Sequence, residues 1–278
     1  MKIIFNDVSS KEVLLTPLAI ASFEIEDTIS GAKKSVVRNE FSSKITPRIK
    51  AIKYDSVKTI SFSLIKETYK DFTDTDQRLI ARWLTKAKTP KFLNVITDSD
   101  ESIYFNGIFT DIQFKRAGSS IVGITCTFTC DSPYSYSEEK TEILTAISDV
   151  EYTDATVIVD NVDSDDYIYP KIIITPSEVN SVIGIECVDL EGKYKTMKFF
   201  SPVENIPIVF DCRNQLVYYE HWQSGNVGSL ISYSVIHWDD ADDIYWVKLH
   251  DGVNTLRLYG SAEIKIKWRD IKKVPIVM

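Results

Sequence analysis

Catalytic chemistry has little to work with in this chain. Three histidines, His221, His237 and His250, are scattered through the second half of 278 residues. No glycine-flanked serine elbow, phosphate-cradling glycine loop or HExxH pair occurs, which excludes the usual nucleophile, nucleotide and zinc-protease motifs. Cysteine is sparse as well. Cys126, Cys130, Cys187 and Cys212 lack the close paired spacings that build zinc sites. Cys126 and Cys130 share one face of a strand but stand about 13 Å apart by the strand rise, beyond the reach of a disulfide. All four read as small buried thiols. No enzyme activity and no cofactor are expected.

Other absences narrow the class further. No apolar run approaches the roughly 20 residues of a membrane helix. The start, from Met1 to Asp7, turns polar too early for a signal peptide, so synthesis and folding in the cytoplasm are expected. A net charge of -8 disfavours general binding to nucleic acid backbones, because phosphate affinity comes from Lys and Arg displacing counterions. With only ten glycines and nine prolines, the chain has no low-complexity character and should hold about two ordinary domains.

What is present points to sheet. The chain is 44% hydrophobic and 12% aromatic, and its β-branched and aromatic residues suit pleated, half-buried surfaces. Ile60, Phe62 and Leu64 alternate with Thr59, Ser61 and Ser63, the pattern of a strand with one buried face. Ile124, Cys126, Phe128 and Cys130 repeat it against Thr125, Thr127 and Thr129. So do Ile108, Ile112 and Phe114 against Phe109, Asp111 and Gln113. Turn and bulge chemistry falls at Tyr104–Gly107 and Arg116–Ser119. One helix interrupts the strands. Thr73 or Asp74 caps it, Leu79, Ile80, Trp83 and Leu84 form its apolar stripe, and it ends before Pro90 with Trp83 as a core anchor.

After Asp131-Ser132-Pro133-Tyr134 the composition turns polar, and residues 135–148 read as a linker. Beyond it, strand candidates recur at 156–160, 169–175, 181–190, 195–200, 207–210, 215–219, 245–249, 254–259 and 263–268, at the spacing of an all-β sandwich or barrel. Two acidic runs, 163–166 and 239–243, read as solvated loop tips, since the second lacks the glycine and distal acid of a calcium hand. Tyr219, His221, Trp222 and Asn226 bring together aromatic faces and polar groups suited to a sugar, the candidate glycan contact.

The most distinctive polar feature is residues 31–53. Seven basic residues, Lys33, Lys34, Arg38, Lys44, Arg48, Lys50 and Lys53, face the single acid Glu40, a local charge of about +6 in an acidic chain. No clean period runs through it, so it reads as a long loop or extended arm. It is a solvated loop, an arm lying on a neighbouring subunit, or the lining of a channel for a polyanion. Lys33, Lys34, Arg38, Lys44 and Arg48 are its candidate interface or channel residues.

The run from Phe72 through Arg82-Trp83-Leu84, then Tyr104-Phe105-Asn106-Gly107-Ile108-Phe109-Thr110, then Phe128-Thr129-Cys130-Asp131-Ser132-Pro133-Tyr134 resembles the distal tail protein family of long-tailed bacteriophages. Val57–Leu64 and the closing segments Gly252–Gly260 and Ile264–Arg269 are similar to parts of the same proteins. The resemblance implies a mainly β chain with one principal helix. Residues 1–134 would be a ring-forming, tail-tube-like β-sandwich or split barrel with a covering helix, and 149–278 a galectin-like β-sandwich projecting outward. It further implies a structural virion protein at the phage tail tip, assembled in the host bacterial cytoplasm. Its partners would be copies of itself in a homohexamer or stacked rings, the tail tube protein, the tail-associated lysin or fibre hub protein and a receptor-binding protein, with DNA only passing through the channel. A second reading is a carbohydrate-binding host-adhesion module touching the host wall.

Overall fold

The computed structural model describes residues 1–26, 34–39, 48–54, 58–97, 100–147, 150–160, 167–179, 181–188, 192–201, 204–220, 227–230, 237–238 and 245–272. The chain forms two compact units, Met1–Glu138 together with the C-terminal end from Lys272, and Glu139–Ile271.

In the first unit the strands are β1 (Lys2–Phe5), β2 (Val8–Ser9), β3 (Leu18–Glu26), β4 (Lys34–Asn39), β5 (Arg48–Tyr54), β6 (Thr59–Lys66), β7 (Lys91–Ile96), β8 (Ser102–Ala117), β9 (Ser120–Cys130) and β10 (Ser135–Tyr136), with helix α1 (Asp74–Thr85) between β6 and β7. The main sheet has nine strands and runs β2-β1-β7-β8-β9-β6-β3, extended by β10 and the final strand β22 (Ile271–Lys272). Strict alternation in β6 places Ile60, Phe62 and Leu64 on its buried face, as expected, and adds Lys66 to them. The sheet curls. Phe5 on β1 and Phe128 on β9 lie three strands apart, about 14 Å if the sheet were flat, yet their ring centroids are 6.1 Å apart. The buried faces therefore converge on one core, as in a split barrel.

Helix α1 covers that core. Thr73 caps it and Asp76 returns the bond in a capping box, which satisfies two otherwise orphaned N–H groups. Ile80, Trp83 and Leu84 are buried, whereas Leu79 is exposed and leaves the expected stripe. The Trp83 indole N–H donates to the carbonyl of Phe5 at 3.0 Å, anchoring the helix to β1.

Strand β8 corrects two expectations. Tyr104–Gly107 is no turn but lies inside this 16-residue strand. Gly107 serves close strand approach: a Cβ there would run into the carbonyl of Thr129 and the ring of Phe128. The expected face is also wrong at one end. A bulge between Phe109 and Asp111 adds a residue to the strand, which reverses the parity of side chains across it. Phe109 thus joins Ile112 and Phe114 against the core, while Ile108 is 39% exposed. Phe109 becomes the centre of an edge-on aromatic cluster, 4.9 Å from Phe5, 5.9 Å from Phe62 and 5.1 Å from Phe128. The other expected turn holds, with Gly118 at φ 64° between β8 and β9.

The second unit comprises β11 (Lys140–Ala146), β12 (Thr153–Val159), β13 (Lys171–Pro176), β14 (Val182–Val188), β15 (Tyr194–Phe200), β16 (Ile208–Asp211), β17 (Leu216–Glu220), β18 (Val227–Leu230), β19 (His237–Trp238), β20 (Gly252–Tyr259) and β21 (Ala262–Trp268). They form a six-stranded sheet, β11-β21-β13-β16-β17-β18, and a five-stranded one, β12-β20-β14-β15-β19. Phe199 of β15 and Phe210 of β16 meet at 5.1 Å across the two, so the unit is an antiparallel β-sandwich. Residues 135–148, read as a linker, carry β10 and β11. Strand β11 pairs with β21 along its whole length but buries only Ala146, and such an edge strand has a polar composition. Residues 245–249 form no strand; Leu249 makes a single bridge to Ile168 while Val247 and Leu249 are buried. No helix among the described residues is long and apolar enough to cross a membrane.

Candidate assembly site

Within the basic segment, read as a long loop or extended arm, the described residues form two strands that pair with each other. β3 pairs with β6 from Leu18↔Lys66 to Glu26↔Thr59. The chain then leaves the main sheet, and β4 pairs with β5 from Lys34↔Tyr54 to Asn39↔Arg48 in a two-stranded sheet of its own. The arm is therefore a ribbon nested within the β3–β6 pair. A bulge between Val37 and Arg38 shifts its register, which is why no single period ran through the sequence. Lys34 and Arg38 lie on β4, Arg48 on β5 beside Asn39. Lys33 and Lys44 lie outside the described residues. The two strands together carry five basic residues and no acid.

At the other end of the β3–β6 pair the structure is braced by Lys66. Its ammonium, nearly buried, donates to Asp76 Oδ2 at 2.7 Å and to the carbonyl of Asp71 at 2.8 Å, and lies 5.3 Å from the centre of the Phe72 ring. Burial raises the Asp76 carboxyl, but the bonds from Lys66 and Thr73 outweigh it and hold the group below the usual carboxylate range.

The exit from β9 is a compact polar lock. The Asn106 side-chain amide donates to Asp131 Oδ2 at 2.7 Å, and the Asp131 N–H donates to the Asn106 carbonyl at 2.8 Å. The Ser132 and Tyr136 hydroxyls are 2.8 Å apart, and the Tyr136 ring stands edge-on to Phe92. Ser135 donates to the carbonyl of Lys272 at 2.7 Å, where the chain returns to this unit. The Asp-Ser-Pro-Tyr sequence marks this place; its partner Asn106, read as a turn residue, was missed.

The candidate glycan contact is not assembled within the described residues. Tyr219 is half-buried on β17 opposite Ile208, and His221, Trp222 and Asn226 lie outside them, as do both acidic runs. Among the described residues no group of three His, Cys, Asp or Glu could hold a metal. All four cysteines are buried. Burial, with the Asp111 carboxylate adding to it, pushes the Cys126 thiol up to about 12. Cys130 is likewise pushed up to about 12, with Lys58 opposing the effect of burial. A polar cluster missed from the sequence occupies the outer face of the five-stranded sheet. Arg257 stacks on Tyr152 and Tyr194 at 4.5 and 4.1 Å and pairs with Glu186 at 3.2 Å. Glu186 also accepts from Tyr259 and Thr196, so its oxygens are satisfied within the sheet.

Residues 1–132, the curled sheet with its helix and arm, match the family model described as phage tail protein N-terminal domain. The Dit (gp 19.1) protein of phage SPP1, a paradigm of the hub adsorption apparatus in phages infecting Gram-positive hosts, covers 98% of this chain and 98% of its own at TM-score 0.53 and 16% identity. The chain has a phage tail hub fold. A chain of the phage P2 baseplate in its activated conformation with Ca matches at TM-score 0.57 and 12% identity over 96% of each chain. The same baseplate with Sr gives 0.57 and 14% over 99% of this chain and 98% of that one. Curated proteins yield no match by sequence.

Proposed function

We propose that the chain is a non-enzymatic structural subunit of a phage tail tip, a distal tail protein forming a hexameric ring between the tail tube and the baseplate. The observation that carries this reading is the two-unit fold shared with tail hub proteins over nearly the whole chain. The first unit forms the ring around the DNA channel, and the β-sandwich serves the receptor-binding and lysin or fibre hub proteins on the outside. A closed ring of one chain requires two unlike surfaces that meet head to tail. The basic arm, with Lys33, Lys34, Arg38, Lys44 and Arg48, supplies one of them. Class averages from electron micrographs of the purified chain test the reading: sixfold rings are expected, and only single particles of one chain would refute it.

A further inference from the structure

The ring reading leaves open which surface receives the arm, and two loops at the far end of the same strand pair carry the features it requires. Leu15 is fully exposed, at 108%, and Tyr69 is 84% exposed. Tyr69 stands at φ 55°, a left-handed conformation costly for a tyrosine. The loops are tied together and cannot splay: the Glu67 N–H donates to the carbonyl of Pro17 at 3.0 Å, Lys11 and Glu67 form an ion pair, and Tyr69 N–H donates to Lys66. Around them the exposed acids Glu12, Glu67, Asp71 and Asp74 outnumber Lys11 and Lys70. The arm strands, by contrast, carry Lys34, Arg38, Arg48, Lys50 and Lys53 with no acid.

We propose that Leu15 and Tyr69, within their acidic surround, form the docking surface for the basic β4–β5 arm of a second copy of this chain. β3 separates the two features by about 27 Å along its length, with the arm leaving beyond Glu26↔Thr59 and the loops lying at Leu18↔Lys66. A head-to-tail contact needs unlike surfaces at different places on one subunit. Opposite charge selects the arm over an identical loop pair, which would meet as acid on acid. Two protruding apolar side chains inside a charged rim match the anatomy of an interface centre. The inference rests on the ring reading and names its second surface.

The test compares the full chain with the double variant Leu15→Arg, Tyr69→Arg by mass photometry. Both side chains are exposed, so circular dichroism and melting temperature should be unchanged while the variant stays monomeric where the unaltered chain is assembled. Leu216→Arg, at an exposed position of the second unit, should assemble normally. Independently, zero-length carbodiimide cross-linking of assemblies mixed from light and heavy isotope chains should join Lys34, Lys50 or Lys53 of one copy to Glu12, Glu67, Asp71 or Asp74 of another. Assembly of the double variant at the unaltered yield, or assemblies without such mixed-isotope pairs, overturns the docking surface and leaves the ring intact. An unaltered chain that never assembles overturns both.

Discussion

Asn106 and Asp131 are joined twice, by side chain and by main chain, and the pair fastens the end of β9 to the middle of β8 where the chain leaves the sheet. Asn106 is buried, so removing its side-chain bond to the Asp131 carboxyl leaves a polar partner unmatched in a low-dielectric setting. Asn106→Ala should lower unfolding free energy by about 2 kcal/mol in urea at fixed protein concentration. A change within error would mean that the main-chain bond alone holds the exit.

Gly107 and Gly118 make opposite demands on one hairpin. Alanine at Gly107 meets the Thr129 carbonyl and the Phe128 ring, neither of which can move freely. Gly107→Ala should therefore cost about 3 kcal/mol. At Gly118 nothing lies within 4 Å of a new Cβ, and only the positive φ opposes it. Gly118→Ala should cost about 1 kcal/mol. Equal losses, read from the same urea curves, would contradict this division.

Acid should weaken the helix cap. The folded-state pKa of Asp76 lies below its unfolded value because Lys66 and Thr73 bond the carboxylate. Its contribution is therefore complete above the unfolded value, about 4, and is lost as pH falls through the folded value. Thr73→Ala should remove about 1 kcal/mol at neutral pH and flatten the acid limb of the stability profile. An unchanged acid limb would show that other groups set it.

Much of this architecture is legible in the sequence, and the failures share a cause. β6, the Ile124–Cys130 part of β9 and the capped helix were readable because a regular period runs through them, broken in the helix only at Leu79. β8 and the arm were misread at bulges, where one inserted residue moves every later side chain to the other face. β11 was hidden because an edge strand that buries one alanine looks like a linker. At the candidate assembly site the charge of the arm was visible, but its pairing was not. Leu15 and Tyr69 gave no signal, since exposure and positive φ are tertiary facts.

The thiols should be silent in the folded chain. Cys126 and Cys130 are buried and pushed up to about 12, and burial raises Cys212 as well. Titration with a chromogenic disulfide at pH 8 should detect no thiol in native protein and all four once it is unfolded in guanidinium. A rapidly reacting native thiol would show local opening of a sheet.

Reversing charge in the arm, with Lys33→Glu, Lys34→Glu and Arg38→Glu together, should weaken assembly while leaving the melting temperature of the monomer nearly unchanged. Assembly at the unaltered yield would remove the arm from the interface.

The solution mass of the purified chain across a concentration series bears most directly on the hub reading. A species of six 31.7 kDa chains, about 190 kDa for a closed cyclic ring, is expected to dominate as concentration rises. A mass that stays at that of one chain throughout the series would contradict it.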